Sequence, residues 1–182
     1  MTHIGPVHNI SAALEREPRI AGWARFVGMH GSLRRGYNGS ADAAAEYNVA
    51  CDPPACRACF AARWDVTITP LDTCGIVKLA GAKYQAVRDC DDPLIQAVLE
   101  NYRVWAENAP PWAQGLDPAL ASTVLFDTVA IYLAFSEELL VMERLGVRVT
   151  DDDARPINCA LDWQDLPAFE DFLVRRLTCK RY

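Results

Sequence analysis

Apolar residues fall along this chain in short clusters whose spacing alternates between helical and strand-like periods. The segment Ile4 to Arg19 opens on Gly5-Pro6, runs through Asn9-Ile10-Ser11-Ala12-Ala13-Leu14 and reaches Pro18, which predicts a loop feeding a short helix. Ile20, Trp23, Phe26, Val27 and Met29 predict a helix leading into a strand, and His30-Gly31-Ser32 with Arg34 to Gly39 predict a long polar loop. Asp52 before Pro53-Pro54 has the form of an N-cap with proline at the first helical positions, so a helix starts there and runs towards Trp64. Asp65 to Leu71 is rich in β-branched residues and meets a proline, as a short buried strand does, and Asp72-Thr73 can cap a further helix.

In the second half, Leu94, Val98, Tyr102 and Trp105 recur at near-helical spacing and predict a helix over Pro93 to Asn108, broken by Ala109-Pro110-Pro111-Trp112. Another helix is expected over Thr128 to Phe135. Strand-like stretches follow at Leu139-Leu140-Val141 and Val147-Arg148-Val149-Thr150, then a turn or acidic loop at Asp151-Asp152-Asp153. Leu166 to Leu177, with Phe169, Phe172, Leu173 and Leu177 on one face, predicts a terminal amphipathic helix. Helices alternating with short strands give an α/β class with a mostly parallel sheet flanked by helices. The 182 residues contain no internal repeat or low-complexity linker, which makes one domain the expectation.

Composition narrows the partners. The chain carries 18 basic and 24 acidic residues, a formal net charge of -6, and no cluster of Lys or Arg to hold a phosphate backbone, so nucleic acid is not an expected partner. No run approaches the ~18 apolar residues of a membrane span, and Met1-Thr2-His3-Ile4-Gly5-Pro6 lacks the pattern of a signal peptide. A cytoplasmic location follows as an expectation. Seven cysteines at irregular spacing, an odd number, read as reduced thiols. Cys51, Cys56 and Cys59 lack a second Cys/His pair at zinc-finger distance, so small buried helix residues explain them better than a metal knuckle.

Three segments place polar groups beside expected strand ends, where open α/β sheets bind ligands: Gly36 to Asn48, Thr69 to Gly75 and Ser122 to Ala130. Glu46 and Asn48 are one residue apart, so an extended segment would project both side chains to one side, where they can grip vicinal sugar hydroxyls. On spacing alone, a loop held by its own Asx turns and a cap is the better account of them. Asp127 follows an apolar run and precedes a helical pattern, which suits an N-cap, yet a carboxylate there also suits a hard oxygen-liganded cation; Asp72 invites the same two readings. His30, in a glycine-flanked loop, reads as a proton donor or as a solvated side chain.

These segments resemble the inosine/uridine-preferring nucleoside hydrolase family. Gly5-Pro6-Val7-His8-Asn9-Ile10-Ser11 is similar to the family's G-P-L-T-N-I-A, Ala45-Glu46-Tyr47-Asn48-Val49 with Asp52-Pro53 to A-E-F-N-I and D-P-E-A, and Ile68-Thr69-Pro70-Leu71-Asp72-Thr73 to V-P-L-D-V-T. The order and spacing hold from Ile4 to Val149, so the chain resembles the C-terminal portion of the family. The resemblance implies a Rossmann-like nucleoside hydrolase fold, incomplete at its N-terminus, and hydrolysis of the N-glycosidic bond of ribonucleosides. In the family a calcium ion holds the ribose hydroxyls and an attacking water that an aspartate deprotonates. The resemblance implies Asp127 and the backbone carbonyl of His8 as metal ligands, Glu46, Asn48 and Asn38 as ribose-binding residues, and Met29 as a residue beside the sugar.

Two departures qualify what is implied. The family's N-terminal aspartate cluster, D-x-D-x-x-x-D-D, supplies most calcium carboxylates and the general base, and this sequence has none; its one acidic run, Asp151-Asp152-Asp153, lies far down the chain. The histidine that often precedes the C-terminal aspartate is Phe126 here. One carboxylate and one carbonyl fall short of the six to eight oxygens calcium takes, so the catalytic residues stay unassigned. The expectation is a family member with an incomplete calcium site and an uncovered sheet edge, completed by a homo-oligomer or a partner chain or truncated as a gene product. Its ligand would be a nucleoside or ribosyl small molecule, taken as substrate; the alternative is a truncated non-catalytic homologue that binds a ribosyl ligand or acts as an interaction module.

Overall fold

The computed structural model describes residues 1–110, 115–150 and 154–178; the expected chain break at Pro111-Trp112, the acidic loop Asp151-Asp152-Asp153 and Cys179 lie outside the described residues. The fold divides into two compact units, one built from residues 1–76 and 126–164 and the other from 77–125 and 165 onwards.

The first unit is built on a five-stranded sheet of order β1-β2-β3-β5-β4, where β1 is Thr2–His3, β2 Phe26–Met29, β3 Val66–Thr69, β4 Leu140–Val147 and β5 Arg155–Trp163. The strands β1, β2, β3 and β5 run parallel, and β4 returns antiparallel to β5. Every residue of β2 and β3 is buried, as expected for parallel strands covered on both faces. One face packs on α1 (His8–Arg16) and α3 (Pro53–Ala61), where Val7, Ile10, Leu14, Cys56, Cys59 and Phe60 meet Phe26, Ile68, Ile157 and Leu161. Against β2 and β3 also lies α7 (Phe126–Leu133), whose Val129, Ala130 and Leu133 are buried. The short helices α2 (Tyr47–Ala50) and α4 (Leu71–Cys74) follow the 31–46 loop and β3. The α/β class with a mostly parallel sheet is therefore the observed one.

In the second unit, α5 (Gly81–Arg88), α6 (Pro93–Glu107) and α8 (Leu166–Thr178) surround Leu79, Tyr84, Val87 and Ile95. The Lys83 ammonium donates to the Pro167 carbonyl at 2.7 Å and pairs with Glu170 and Asp171, tying α5 to α8.

Local signals explain most boundaries. Asp52 caps α3 by accepting from the Ala55 N–H at 3.0 Å, with prolines at the first turn as the sequence indicates. Asp92 caps α6 in the same way through Leu94. Other expectations need correction. The stripe Leu94, Val98, Trp105 on α6 is exposed, and Ile95 is the residue that reaches the core, so the helix was legible but its inward face was not. The two strand-like stretches around 139–150 are one strand, β4, and its partner β5 carries no alternation that separates it from a loop. Helix α5, with two of its eight residues buried, also escaped the pattern. Cys56 and Cys59 are buried helix residues as expected, whereas Cys51 is exposed just past α2.

Replacing the buried Ile157 of β5 by Ala is expected to lower the unfolding free energy by about 2–5 kcal/mol in a urea titration. The same truncation at the exposed Ile131 of α7 is expected to stay within about 0.5 kcal/mol; equal effects at both positions would show that β5 does not lie inside the sheet.

Candidate functional site

The parallel strands β2 and β3 end side by side, at Met29 and Thr69, and the chain then turns into loops that carry the polar residues singled out from the sequence. His30 N–H donates to the Thr69 carbonyl at 3.3 Å and Leu71 N–H to the Gly31 carbonyl at 2.9 Å, so the two exits are stitched together. Gly31 has a φ of +85°, a backbone state that side chains resist and glycine accepts.

Glu46 closes this loop. It is buried, with both carboxylate oxygens taken: Oε1 accepts from Asn48 N–H at 2.7 Å, and Oε2 from Gly31 N–H at 2.9 Å and Val49 N–H at 3.1 Å. It is the N-cap of α2, and Asn48 lies inside that helix, so the two do not project from an extended segment as the sequence suggested. Asn48 donates from Nδ2 to the Met29 carbonyl at 2.9 Å and to its Sδ at 3.3 Å. Met29, Glu46 and Asn48 therefore form one bonded cluster at the end of β2.

Asp127 belongs to the same electrostatic neighbourhood. It sits half-buried in the first turn of α7, as a helical residue and not the N-cap, and burial raises its carboxyl above the usual range. Burial also raises Glu46; its three N–H donors oppose that, and the Asp127 charge adds to it. Both charges act on the buried Cys74 thiol, which burial chiefly drives far above its ordinary value. Two carboxylates that each resist ionisation, Glu46 partly against the charge of Asp127, favour a proton, a cation or hydroxyl donors beside them.

Asn38 is exposed, with a φ of 56°, in a 3-10 turn over Tyr37–Gly39. Tyr37, which the sequence reading passed over, connects that turn to the cluster. Its hydroxyl accepts from Tyr47 N–H at 2.9 Å, and its ring meets Phe126 edge-on at 6.2 Å, beside Asp127. An aromatic residue inside an otherwise polar loop was the available signal. The His8 ring pairs with Asp52 Oδ2 at 2.6 Å, linking α1 to the start of α3.

Two expectations change. Asp72 caps no helix; fully buried, it accepts from Leu33 N–H at 2.9 Å and Arg34 N–H at 2.7 Å, and Arg34 in turn pairs with Glu143 of β4 through two bonds of 2.8 and 2.9 Å. His30 is not solvated: it is completely buried against Phe26 and Phe60. A pocket of about 390 Å³ opens on the other flank of the loop, floored by Leu33, Val49, Phe60 and Val147; Glu46 lines it, but Met29, Asn38, Asn48 and Asp127 do not.

The donor set does not make a metal centre. Among the described residues no three or more His, Cys, Asp or Glu are grouped to hold an ion, and Glu46 spends its oxygens on backbone donors. No helix among them is long and apolar enough to cross a membrane.

Removing the carboxylate by Glu46→Ala orphans three backbone N–H groups. It is expected to cost roughly 1–3 kcal/mol of stability and to speed amide hydrogen exchange at Gly31, Asn48 and Val49 selectively; unchanged exchange there would show that the loop is held by something else.

Comparison with known proteins gives this geometry a family. The pattern of the inosine-uridine preferring nucleoside hydrolases matches residues 1–168. Among solved structures, the chain is similar to a purine-preferring ribonucleoside hydrolase from Gardnerella vaginalis, with 22% identity and a TM-score of 0.71, covering 97% of this chain and 60% of that one. A plant nucleoside hydrolase gives 20% identity and a TM-score of 0.75, with 98% and 62% covered. A type III effector protein complexed with adenosine diphosphate ribose gives 16% identity and a TM-score of 0.62, with 98% and 59% covered. At these identities the structures establish the fold. Among curated proteins, none matches. The chain spans about 60% of the length of the solved structures it matches. With the family pattern extending over nearly the whole sequence, the chain belongs to the inosine-uridine preferring nucleoside hydrolase family.

Proposed function

We propose that this chain serves hydrolysis of the N-glycosidic bond of ribonucleosides, and that its own share of that reaction is to hold the ribose. The observation that carries this reading is the bonded cluster of Met29, Glu46 and Asn48 at the end of β2, with the half-buried Asp127 near enough for its charge to act on Glu46. Ribose hydroxyls donate hydrogen bonds and relieve the repulsion between the two carboxylates, and among the described residues Asp127 is the member of the pair whose oxygens no backbone donor takes. Asn38, exposed on its turn, supplies a second polar contact at the rim. A negatively charged surround also suits the oxocarbenium character that develops at the sugar when a glycosidic bond breaks.

Calcium, the ion the resemblance implies, finds one free carboxylate in Asp127, while His8 stands at the start of α1, whose carbonyls serve the helix ladder. That set falls short of six to eight oxygens. No catalytic step is assigned to an ion or to a base in this chain. The donor set instead speaks for a second reading, in which binding a ribosyl group is the whole of the function; the neighbouring structure captured with adenosine diphosphate ribose is compatible with it. Both readings take a nucleoside or ribosyl small molecule as ligand, and the uncovered edge of β1 is where a second copy or partner chain would join.

Inosine or uridine at millimolar concentration is expected to raise the melting temperature saturably. Asp127→Ala and Asn38→Ala should abolish that rise while leaving the unliganded transition nearly in place, and calcium alone should leave it unmoved. No rise with either nucleoside would defeat both readings. Free ribose, followed by reducing-sugar assay, separates them: release above the buffer rate assigns hydrolysis to the chain itself, and binding without release assigns it ribosyl recognition alone.

A further inference from the structure

His30 is completely buried, and neither of its ring nitrogens has a hydrogen-bond partner; the Nε2 of His3 is orphaned in the same way. The two imidazoles lie on either side of an aromatic cluster. His3 stacks on Phe26 with centroids 5.3 Å apart, Phe26 lies 5.5 Å from His30, and the Phe60 edge closes on His30 at 6.2 Å. The ring has no room to retreat towards the strand, because even a Cβ on Gly28 would stand 2.5 Å from its Nδ1. A buried group with unmet hydrogen-bonding capacity costs stability, and native folds keep few of them.

The backbone around this ring is the hinge of the loop already described. Met29 carbonyl receives Asn48, His30 N–H is held by Thr69, and Gly31 N–H is held by Glu46. Three consecutive residues are thus fixed by three different partners, and the middle one carries an imidazole without a hydrogen-bond partner. We propose that His30, packed with His3 about Phe26, is an acid-sensitive latch: the fold accepts only its neutral ring, and protonation releases the 30–48 loop with Glu46 and Asn48. That this loop serves a ribosyl ligand rests on the preceding reading; the latch does not.

The groups facing the ring support this. From β1 comes His3, a like charge when protonated, itself lowered by burial first and then by the Met1 ammonium. From α3 comes Phe60, in a core shared with the Cys59 thiol, which burial pushes up to about 12 and so keeps neutral. From α1 the inward residues are Val7, Ile10 and Leu14. Burial first, then His3, lowers His30 from 6.5 to about 4, with the Gly5 backbone pulling weakly the other way without closing a hydrogen bond. The unfolded chain therefore takes the proton more readily than the folded one. The contribution of His30 to stability is complete above pH 6.5 and is lost as pH falls towards 4, a drop of roughly two orders of magnitude in the folding constant.

Two measurements on the full chain, neither using a nucleoside, test this. Carbon-edited NMR of the three histidines should show the His30 ring neutral at pH 5, with the protection of the Gly31 and Asn48 amides, taken against the unstructured exchange rate at each pH, falling on further acidification. Melting curves between pH 7.5 and 4.5 should fall with acid in the wild type, and this fall should be largely lost in His30→Phe, which keeps an aromatic ring in the site. A His30 ring titrating near 6.5, or a variant whose melting profile parallels the wild type, overturns the latch. The ring titration decides the matter in the wild-type chain alone if the variant does not fold.

Discussion

The carboxylate of Glu46 is the constraint on which the site depends. Three backbone N–H groups, from Gly31, Asn48 and Val49, converge on its two oxygens, so a single buried side chain at once starts α2 and anchors the exit of β2. Without it the loop from His30 to Ala45 would have to find its order elsewhere, and the Asn48 amide would not be aimed at the Met29 carbonyl. The cost of holding a charge there is visible in the raised carboxyl of Glu46: burial outweighs even three donors. Asp127 brings a second reluctant charge to the same region. The atoms proposed to meet a ribosyl ligand are thus also those of a structural cap, and mutational effects on binding at Glu46 would be inseparable from effects on the loop.

Asp72 acts as the counterpart on the far side of the loop. It holds the N–H groups of Leu33 and Arg34, and the Arg34 guanidinium reaches across to Glu143. The loop is therefore clamped at both ends by acidic side chains that touch backbone, a use of carboxylates that leaves Asp127 as the member of the set without such a partner. The shortage of free oxygens is a direct result of this division, and it is why the family's ion is poorly matched to the donors present.

What the sequence made legible follows from which signals are local. Capping at Asp52, the proline-terminated strand at Val66–Thr69 and the apolar face of the last helix are set by neighbours in the chain, and each appears where the pattern indicates. The resemblance in the Gly5, Glu46 and Ile68 segments led to the family that the comparison then established. The misreadings lie where distant contacts decide. Strand β5 mixes exposed, partly buried and buried residues without a clean period, because its middle is covered on both faces while its ends are not. His30 looked like a loop residue from its glycine neighbour, and only Phe26, Phe60 and His3 around it make it a core residue. Asp72 carried the composition of a cap, but its partners are nearly forty residues earlier in the chain.

The place of β5 in the sheet also sets a timetable. Thr67 of β3 pairs with Asn158, and β4 can join only through β5, so the sheet cannot be completed until most of the chain has left the ribosome. Closing so long a loop between parallel strands carries an entropic toll before any pairing repays it. Until that closure, β3 presents an unpaired edge and an apolar flank to its surroundings, the period in which chaperones and misassembly compete for a nascent polypeptide.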